Sequence, residues 1–261
     1  MATVTANGQW ARRITMAALA LSIGGLLAAL IAAVGSGQGA WHFRTGLTIL
    51  RYAFYVAIAG GALALVGMVL ARRSRVPGLM LRNLAALAVA VAFIVYLGNH
   101  IRIAKSVPAI HDVSTDLEDM PQFRALRVRD DNLENIPDLD QPDLKAMEPE
   151  ERWKALHQKG YPDIKPVRVP WTVGETTVKA HALAEKRGWE IAHVDPRRGI
   201  VEATATTLFF RFKDDVVIRA RKDPKGEGTI VDMRSISRVG GSDVGVNAGR
   251  IREFLKDLRQ S

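Results

Sequence analysis

The chain has 261 residues, of which 48% are hydrophobic, and it contains no cysteine. The absence of cysteine excludes disulfides, zinc–thiolate sites, iron–sulfur clusters and catalytic thiols. The net charge of +9 suggests a nucleic-acid partner, but its distribution does not. Residues 1–103 hold nine arginines with no lysine and no acid, while the 27 basic and 27 acidic residues of 104–261 cancel. Because a DNA-binding domain concentrates its excess charge in the soluble part, we expect no nucleic-acid partner.

Three apolar runs without a charged residue lie before residue 104. They cover residues 14–34, 52–71 and 83–101. A bilayer core of ~30 Å is crossed by about 20 helical residues, so each run is long enough to span a membrane. The first run is longer than the apolar stretch of a signal peptide, and we interpret it as a retained span. We therefore predict a membrane region over residues 1–103 with three transmembrane helices.

Loop arginines predict the orientation of these spans. The loop between the second and third runs contains Arg72, Arg73, Arg75 and Arg82. Since basic loops stay in the cytoplasm, we expect this loop and the amino terminus there. Three spans then place the rest of the chain on the other side of the membrane. The spans contain no Asp, Glu or Lys, which argues against an ion pathway, and the first expected partner is the lipid bilayer.

Residues 104–170 are polar and interrupted by eight prolines. This composition predicts a mostly irregular arm or linker, with one short helix near residues 149–159. So long an irregular stretch is unusual in a compact domain. It is therefore either a linker or an arm that lies over the following domain or over a partner.

Residues 171–261 have the patterns of a compact domain. Thr172 and Glu175 fit a capping box, which predicts a helix that ends at Gly188. Alternating and β-branched runs then predict four strands, at 189–194, 200–206, 215–221 and 229–235. An apolar stripe predicts a final helix over residues 247–259. The order α-β-β-β-β-α predicts a small α+β domain whose antiparallel sheet is covered on one face by helices.

The first polar block runs from His111 to Asp116. Its candidate site residues are His111, Asp112, Ser114, Thr115 and Asp116, together with Asp214 and Asp215 farther along the chain. One histidine with acids at this spacing is weak evidence for a metal site, and a serine nucleophile needs a base that the sequence does not identify. We therefore expect neither a metal nor another cofactor, and no catalytic residue is assigned. The alternative is a loop in which short polar side chains cap backbone N–H groups.

The second polar block lies between a predicted strand and the last predicted helix. Glycines permit close backbone approach, and a helix N-terminus presents N–H groups to an anion. Arginine adds bidentate recognition of phosphate or carboxylate. The candidate ligand-binding residues are Arg234, Ser235, Ser237, Arg238, Ser242, Asp243, Asn247 and Arg250. The alternative is structural: the three arginines pair with Asp214, Asp215 and Asp243 and hold the loop in place.

Both blocks resemble one known family. The similar segments are Pro108-x-Ile-His-Asp-x-Ser-Thr-Asp116, Asp214-Asp215-Val216 and Arg234-Ser-x-Ser-Arg-x-Gly-x-Ser-Asp-x-Gly-x-Asn247. Together they resemble the domain of unknown function numbered fourteen ninety-nine, which occurs in bacterial envelopes and plastids. The resemblance covers roughly residues 105–260. It implies a membrane-associated domain and adds no catalytic role. Residues 122–163 match the family pattern least well, which leaves the role of this insert open.

These observations lead to one expected function and two alternatives. We expect a domain anchored in the bacterial inner membrane and exposed to the periplasm, which binds an anionic ligand such as a lipid head group, or another membrane protein, without catalysis. The alternatives are an enzyme that acts on envelope lipids or their precursors, and an accessory or assembly subunit of a larger membrane complex. A cleft with clustered acids of shifted pKa would indicate chemistry, whereas a shallow basic pocket would indicate binding.

Overall fold

The computed structural model describes residues 6–134 and 136–261 and divides into two compact units. One unit comprises the three N-terminal helices up to Arg102 together with Leu208–Arg211. The other comprises Ile103–Thr207 and Phe212–Ser261. Residues 1–5 of the predicted membrane region and residue 135 of the insert lie outside the described residues.

The helical unit contains α1 (Ala6–Gly37), α2 (Phe43–Ser74) and α3 (Leu79–Ser106). All three helices are long and apolar enough to cross a membrane, which confirms the prediction of three apolar helices. Each extends beyond its predicted span, because the polar residues that flank an apolar run can continue the same helix. The helices are therefore compatible with membrane anchoring.

Small residues and one polar pair hold α1, α2 and α3 together. A Cβ atom at Gly60 of α2 would lie 2.6 Å from the backbone nitrogen of Ser22 in α1, so the two backbones approach closely only because Gly60 has no side chain. The buried Asn83 amide of α3 donates a hydrogen bond of 2.8 Å to the Thr15 hydroxyl of α1. Close backbone contact and interhelical hydrogen bonds are the forces that associate helices in lipid.

The second unit is an α+β domain, which confirms the predicted fold class. Its strands are β1 (Asp112–Ser114), β2 (Val167–Val169), β3 (Glu190–Asp195), β4 (Ile200–Thr206), β5 (Lys213–Lys222) and β6 (Thr229–Ser237). Its helices are α4 (Pro142–Lys145), α5 (Pro149–Gly160), α6 (Val173–Lys186) and α7 (Val246–Gln260). The sheet is antiparallel with the order β1-β6-β5-β4-β3, and β2 also pairs with β6. The capping box predicted at the start of α6 is present.

Residues 104–170 contain more regular structure than the predicted irregular arm or linker. They supply β1, β2, α4 and α5, of which only α5 corresponds to a predicted helix. They also contribute large side chains to the main core, among them Ile110, Trp153, Leu156 and Tyr161. Because β1 and β2 are three residues long, they have no periodicity to detect. They form only because β6 offers them a partner.

The two faces of the sheet differ in chemistry. Side chains alternate between the faces of a strand, and the face toward α6 and α7 carries core residues such as Val216, Ile218 and Met233. On the other face, Glu202 and Asp232 are fully buried. That face is covered by the segment that begins at Asp116, whose backbone contacts Glu202 and the sheet arginines. The sheet therefore has one apolar covered face and one charged covered face.

Candidate functional site

Pairing of β1 with β6 brings the two predicted polar blocks together. Asp112 lies opposite Ile236, and Ser114 lies opposite Arg234. Because neighbouring side chains on a strand point to opposite faces, each block is divided between the two faces of the sheet. Asp214, Ser235 and Ser237 share the face toward the helices, whereas Asp112, Asp215 and Arg234 share the charged face. The predicted site residues therefore form two clusters rather than one pocket.

Arg234 and Asp112 form a buried ion pair on the charged face. The Arg234 Nε donates to Asp112 Oδ1 at 3.0 Å and its terminal nitrogen to Oδ2 at 2.7 Å. Both side chains are almost fully buried. The Asn132 amide donates to the same carboxylate at 2.8 Å, and its oxygen lies 3.1 Å from the His111 Nε2. This pair connects β1 with β6 and was not among the ion pairs predicted for the arginines.

Arg238 contacts Asp215 on the same face. The Arg238 Nε lies 2.9 Å from Asp215 Oδ2, and a terminal nitrogen lies 2.8 Å from Oδ1. The Thr204 hydroxyl donates to Asp215 at 2.8 Å and accepts from Arg238 at 3.0 Å. The hydrogen bond to Asp215 raises the pKa of the Arg238 guanidinium above its ordinary value. Arg238 is 42% exposed while Asp215 is buried, so a ligand has access to the arginine but not to its partner.

Arg250 belongs to the cluster on the helix face. Its guanidinium donates to Asp214 at 2.6 Å and to the Ser235 hydroxyl at 2.9 Å, and it also contacts the Asn247 side-chain oxygen. The Asn247 amide donates to the Ser237 hydroxyl at 3.1 Å. These contacts fasten the first turns of α7 to β5 and β6. All three predicted arginines thus have an aspartate partner, as the structural alternative requires, but Arg234 pairs with Asp112.

Asp243 serves the backbone of α7 instead of an arginine. Its Oδ1 accepts from the Gly245 N–H at 2.9 Å and its Oδ2 from the Asn247 N–H at 2.6 Å. Burial raises the pKa of Asp243 to about 6, although both hydrogen bonds act in the opposite direction. Ser242 accepts from the Val244 N–H at 3.2 Å. Backbone N–H groups that a helix start offers to an anion are therefore already bound by these side chains.

The remaining residues of the first block extend the β1–β6 ladder and cap a loop. The Thr115 hydroxyl accepts from the Met233 N–H at 2.9 Å, and the Ser114 hydroxyl donates to the Asp116 carbonyl at 2.8 Å. The Asp116 carboxylate accepts from the N–H groups of the next turn and from Arg221. Among residues 6–134 and 136–261, no group of three His, Asp or Glu side chains is placed to hold a metal ion.

Glu202 is a polar centre that the sequence analysis missed. It is fully buried in β4 and its carboxylate accepts three backbone hydrogen bonds, from Arg124 at 2.7 Å, Ala125 at 3.0 Å and Leu126 at 2.8 Å. In the sequence, a single acidic residue within a run rich in β-branched side chains could have indicated this buried group. Because these donors lie at the start of the 122–163 insert, Glu202 fixes that part of the insert to the sheet.

His157 is a second buried group that the sequence analysis did not single out. It packs between Trp153 and Tyr161, with ring centroids 5.5 and 5.7 Å away. Its Nε2 accepts a hydrogen bond from the Ser114 N–H at 3.3 Å. Burial lowers the pKa of His157 to about 4. The ring is therefore neutral near pH 7 and contributes to the junction of α5 with β1.

A cleft of about 410 Å³ lies between α7 and the segment that precedes β2. We call it the α7 cleft. Its wall contains the apolar side chains Ile164, Val167, Ile251 and Leu255 and the charged side chains Asp163, Lys165, Arg252, Lys256 and Arg259. None of the predicted site residues lines it. The sequence could have indicated this cleft through the spacing of Arg252, Lys256 and Arg259, which places three cations on one side of a helix.

Only one cation of the α7 cleft has an acidic partner among the described residues. Arg252 donates to both oxygens of Asp163, at 2.6 and 2.7 Å. That hydrogen bond lowers the pKa of Asp163, so the acid is ionised and paired. Lys165, Lys256 and Arg259 are exposed and have no ion pair in the part of the chain that the structure describes. The cleft therefore combines a small apolar surface, because Ile164, Ile251 and Leu255 are largely buried, with three positive charges that have no ion pair among the described residues.

Comparison with known proteins identifies the family to which the chain belongs. No curated protein and no solved structure matches it. The family model described as "Protein of unknown function (DUF1499)" matches residues 112–258. This range includes both ends of the β1–β6 pairing, the insert and most of α7, and it covers more than half of the sequence. The match confirms the resemblance found in the two polar blocks, and the chain belongs to the DUF1499 family.

Proposed function

We propose that this protein is a membrane-anchored, non-catalytic binding protein whose α+β domain takes up an anionic amphiphile in the α7 cleft. The observation that carries the proposal is the group of three cations, Lys165, Lys256 and Arg259, which have no ion pair among the described residues and lie beside apolar lining residues. Charged head groups and apolar chains of one ligand would meet complementary parts of this cleft. A phosphate or carboxylate would be recognised by the cations, and an acyl or prenyl chain by the wall.

Arg234 and Arg250 of the second block are poorer candidates for the anion. An anion at Arg234 or Arg250 would have to displace a buried aspartate from a short ion pair. The displaced carboxylate would lose its partner, and an unpaired buried charge is costly. Ligand binding by the second block stays a prediction, and the α7 cleft offers the same chemistry without that cost.

The acids of the domain support binding rather than catalysis. General acid–base chemistry needs a carboxyl group with a pKa close to the working pH and access to the substrate. Asp243 has a raised pKa, but both of its oxygens accept hydrogen bonds from the backbone of α7. The acid that lines the cleft is Asp163, which Arg252 keeps ionised and paired. An enzyme on envelope lipids is therefore the weaker candidate.

The proposed location is the periplasmic side of a bacterial inner membrane. The last turn of α2 and its C-cap carry Arg72, Arg73 and Arg75, and this basic cluster favours a cytoplasmic position for that end of the helix. Three spans then put the domain in the periplasm. Alkaline phosphatase fused after Ser261 should be active, because this enzyme needs the oxidising periplasm. An inactive fusion of intact, membrane-inserted chain would overturn the orientation without affecting the binding proposal.

The binding proposal is tested with the full chain in a neutral maltoside detergent. The probes are inorganic phosphate and dihexanoyl phosphatidic acid, with zwitterionic dihexanoyl phosphatidylcholine as the comparison, and calorimetric titration gives the dissociation constants. The cleft variant replaces Lys165, Lys256 and Arg259 by glutamine. We expect it to weaken binding of the phosphatidic acid at least tenfold, which corresponds to about 1.4 kcal/mol. Binding of phosphate alone would show that the head group suffices, and binding of the lipid alone would show that the apolar wall is also needed.

The matched control removes the same charge elsewhere. Lys186, Lys222 and Lys225 are exposed and lie outside the cleft, and their replacement by glutamine should leave both dissociation constants unchanged. Equal losses in the two triple variants would reveal a general charge effect and overturn the site. If wild type binds neither anionic probe, the proposal fails, and the assembly-subunit hypothesis becomes the better explanation.

A further inference from the structure

Directly after α3, the chain enters the α+β domain at one end of the sheet. The helix ends at Ser106, and a Cβ atom on Gly245 would lie 3.3 Å from the Val107 side chain. The Asp243 N–H donates to the Ile110 carbonyl at 3.1 Å. The connection from β6 to α7 is therefore next to the first residues that follow the helix.

The turn between β4 and β5 lies at the same end of the sheet. Asp214, near the start of β5, pairs with Ser237 at the end of β6. The Arg238 N–H continues this ladder and donates to the Lys213 carbonyl at 3.0 Å. In contrast, the turn between β5 and β6 and the strand β2 lie at the opposite end.

Large apolar side chains are exposed at the end that follows α3. We call them the apolar rim, and they are Leu208, Phe209, Val239, Val244 and Val246. Leu208 is 82% exposed, the highest value for a large apolar side chain among the described residues, and Phe209 is 48% exposed. The exposed cations Arg211 and Lys213 follow directly. A cluster of apolar side chains with adjacent cations is typical of a surface that enters the interface of a membrane.

The β4–β5 turn is closed at its base and leaves Leu208 and Phe209 exposed. The Thr207 N–H donates to the Phe212 carbonyl at 2.9 Å, and the Phe212 N–H donates to the Thr207 hydroxyl at 2.8 Å. This closes the loop at its base. Leu208–Arg211 also belong to the compact unit of the three apolar helices, and not to that of the domain from which they project. Fully burying a leucine or phenylalanine side chain gains about 1.5–3 kcal/mol, so an apolar medium at this position would stabilise the turn.

We propose that the apolar rim inserts into the bilayer interface and holds this end of the α+β domain against the membrane in which the helices are anchored. We infer the lipid surface as the partner because the rim borders the residues that directly follow α3 and the exposed cations Arg211 and Lys213 follow its turn. The α7 cleft lies along the C-terminal half of α7, toward β2. It therefore faces away from the proposed membrane contact and remains open to solvent.

Because the chain contains no cysteine, single cysteines can be introduced and labelled at chosen positions. Leu208→Cys, Val244→Cys and, as a control in the β5–β6 turn, Glu227→Cys each receive a nitroxide spin label. The full chain is placed in vesicles of phosphatidylcholine with a minority of phosphatidylglycerol. Relaxation by oxygen and by a water-soluble nickel chelate then gives the depth of each label. We expect the labels at 208 and 244 about 5–10 Å into the boundary of head groups and acyl chains, and the label at 227 in water.

Two outcomes would overturn the membrane contact. A label at 208 that is as accessible to the nickel chelate as the label at 227 places the rim in water. A label at 208 that is shielded from both oxygen and nickel is covered by protein, either the helices or a second copy. Because a nitroxide can itself favour lipid, Leu208→Asp with Phe209→Asp is combined with the label at 244. This charged pair should shift that label toward water, and an unchanged depth would contradict the proposal. Anion binding in the α7 cleft is measured separately in detergent, so either proposal can fail alone.

Discussion

The arginines of the helical region and those of the α+β domain have different surroundings. Residues 1–103 contain nine arginines and no acidic residue. In the α+β domain, by contrast, Arg234, Arg238 and Arg250 each contact an aspartate. In the helical region the arginines lie near the ends of apolar runs. They have no ion pair among the described residues, and an excess of basic residues of this kind orients the spans of membrane proteins. In the domain the same side chain joins parts of the chain that are far apart in sequence. Arg234 and Asp112, for example, are separated by 122 positions.

The two regions also bury polar groups by different means. Asn83 and Thr15 meet as neutral groups between α3 and α1, where the contact distance is set by glycine and alanine. On the sheet, Asp112 and Arg234 meet as full charges with further donors around them. A neutral pair costs little to separate, because each group can find another partner. A buried ion pair is costly to break from one side. The comparison therefore predicts a gradient of mutational effects.

The largest effect is expected at the Arg234–Asp112 pair. Arg234→Ala leaves Asp112 charged and buried, and Asp112→Ala does the same to Arg234, so each should lower the free energy of unfolding by about 3–5 kcal/mol. Chemical denaturation of the full chain in detergent, followed by circular dichroism, measures this. The control is Arg127→Ala, because Arg127 and Asp130 form a pair that is more than 80% exposed and should contribute less than about 1 kcal/mol.

A double variant tests the cause of that loss. Arg234→Met with Asp112→Leu removes both charges and keeps similar volumes, so most of the stability should return. If the double variant is as unstable as Arg234→Ala, shape rather than charge determines the contribution of the pair. In that case the contrast between the two regions would lose its electrostatic basis.

The next effect is a pair of opposing pH dependences. Asp243 has a pKa of about 6 instead of 3.8, so between these values the folded chain keeps a proton that the unfolded chain has lost. Its contribution to the free energy of unfolding therefore falls as the pH rises. His157 has a pKa of about 4 instead of 6.5, so here the unfolded chain holds the additional proton and stability rises with pH. Each amounts to about 3 kcal/mol at ~1.4 kcal/mol per pKa unit.

Conservative variants separate the two contributions. Unfolding free energies of Asp243→Asn should rise between about pH 4 and 6.5, because the His157 contribution is then unopposed. Those of His157→Gln should fall between about pH 4 and 6, and wild type should change less than either. Other titrating groups affect all three proteins equally, so the differences between the curves isolate these two residues. Parallel curves for the three proteins would refute both assigned pKa shifts.

An intermediate effect is expected at the half-exposed Arg238. Arg238→Ala removes a charge-assisted contact from Asp215, which keeps its hydrogen bond from Thr204, so a loss of about 1.5–3 kcal/mol is expected. The double-mutant cycle with Asp215→Asn separates the interaction energy from the cost of truncation. A coupling energy near zero would show that solvent replaces the arginine. Arg238 would then be free to serve a ligand, as the sequence pattern first suggested.

Much of the fold was predictable because its signals are local. Charge-free length identified the three helices, a capping box at Thr172 identified α6, and alternation of β-branched residues identified β3 to β6. The strands β1 and β2 were not predictable, since three residues carry no period. They are defined by pairing with β6, which follows them by more than fifty residues. The core residues Trp153 and Tyr161 were missed because their segment was interpreted as an arm or linker outside the compact domain.

The partners within the polar blocks were less predictable than the blocks themselves. The adjacent residues Asp214 and Asp215 must point to opposite faces of a strand, but the sequence does not show which arginine shares each face. The register with β6 decides it, so that Arg250 contacts Asp214 and Arg238 contacts Asp215. Asp112 could not be assigned to Arg234 without β1. The α7 cleft was missed because its two walls come from segments that are more than eighty positions apart.

The smallest effect is expected at the neutral pair between α1 and α3. Thr15→Val keeps the shape of the side chain and removes the acceptor for Asn83. Interhelical hydrogen bonds of this kind contribute about 0.6 kcal/mol on average and up to ~1.7 kcal/mol, because an amide in lipid can bond elsewhere. Asn83 keeps its hydrogen bond to the Leu79 carbonyl at 2.9 Å. Thr48→Val is the matched control, since among the described residues the Thr48 hydroxyl donates within its own helix, to the Arg44 carbonyl at 2.9 Å. Unfolding in mixed micelles with increasing dodecyl sulfate measures both variants. A loss at Thr15 as large as that at Arg234 would erase the gradient between the two regions, and a loss equal to that at Thr48 would show that the interhelical bond adds nothing to the packing of small residues.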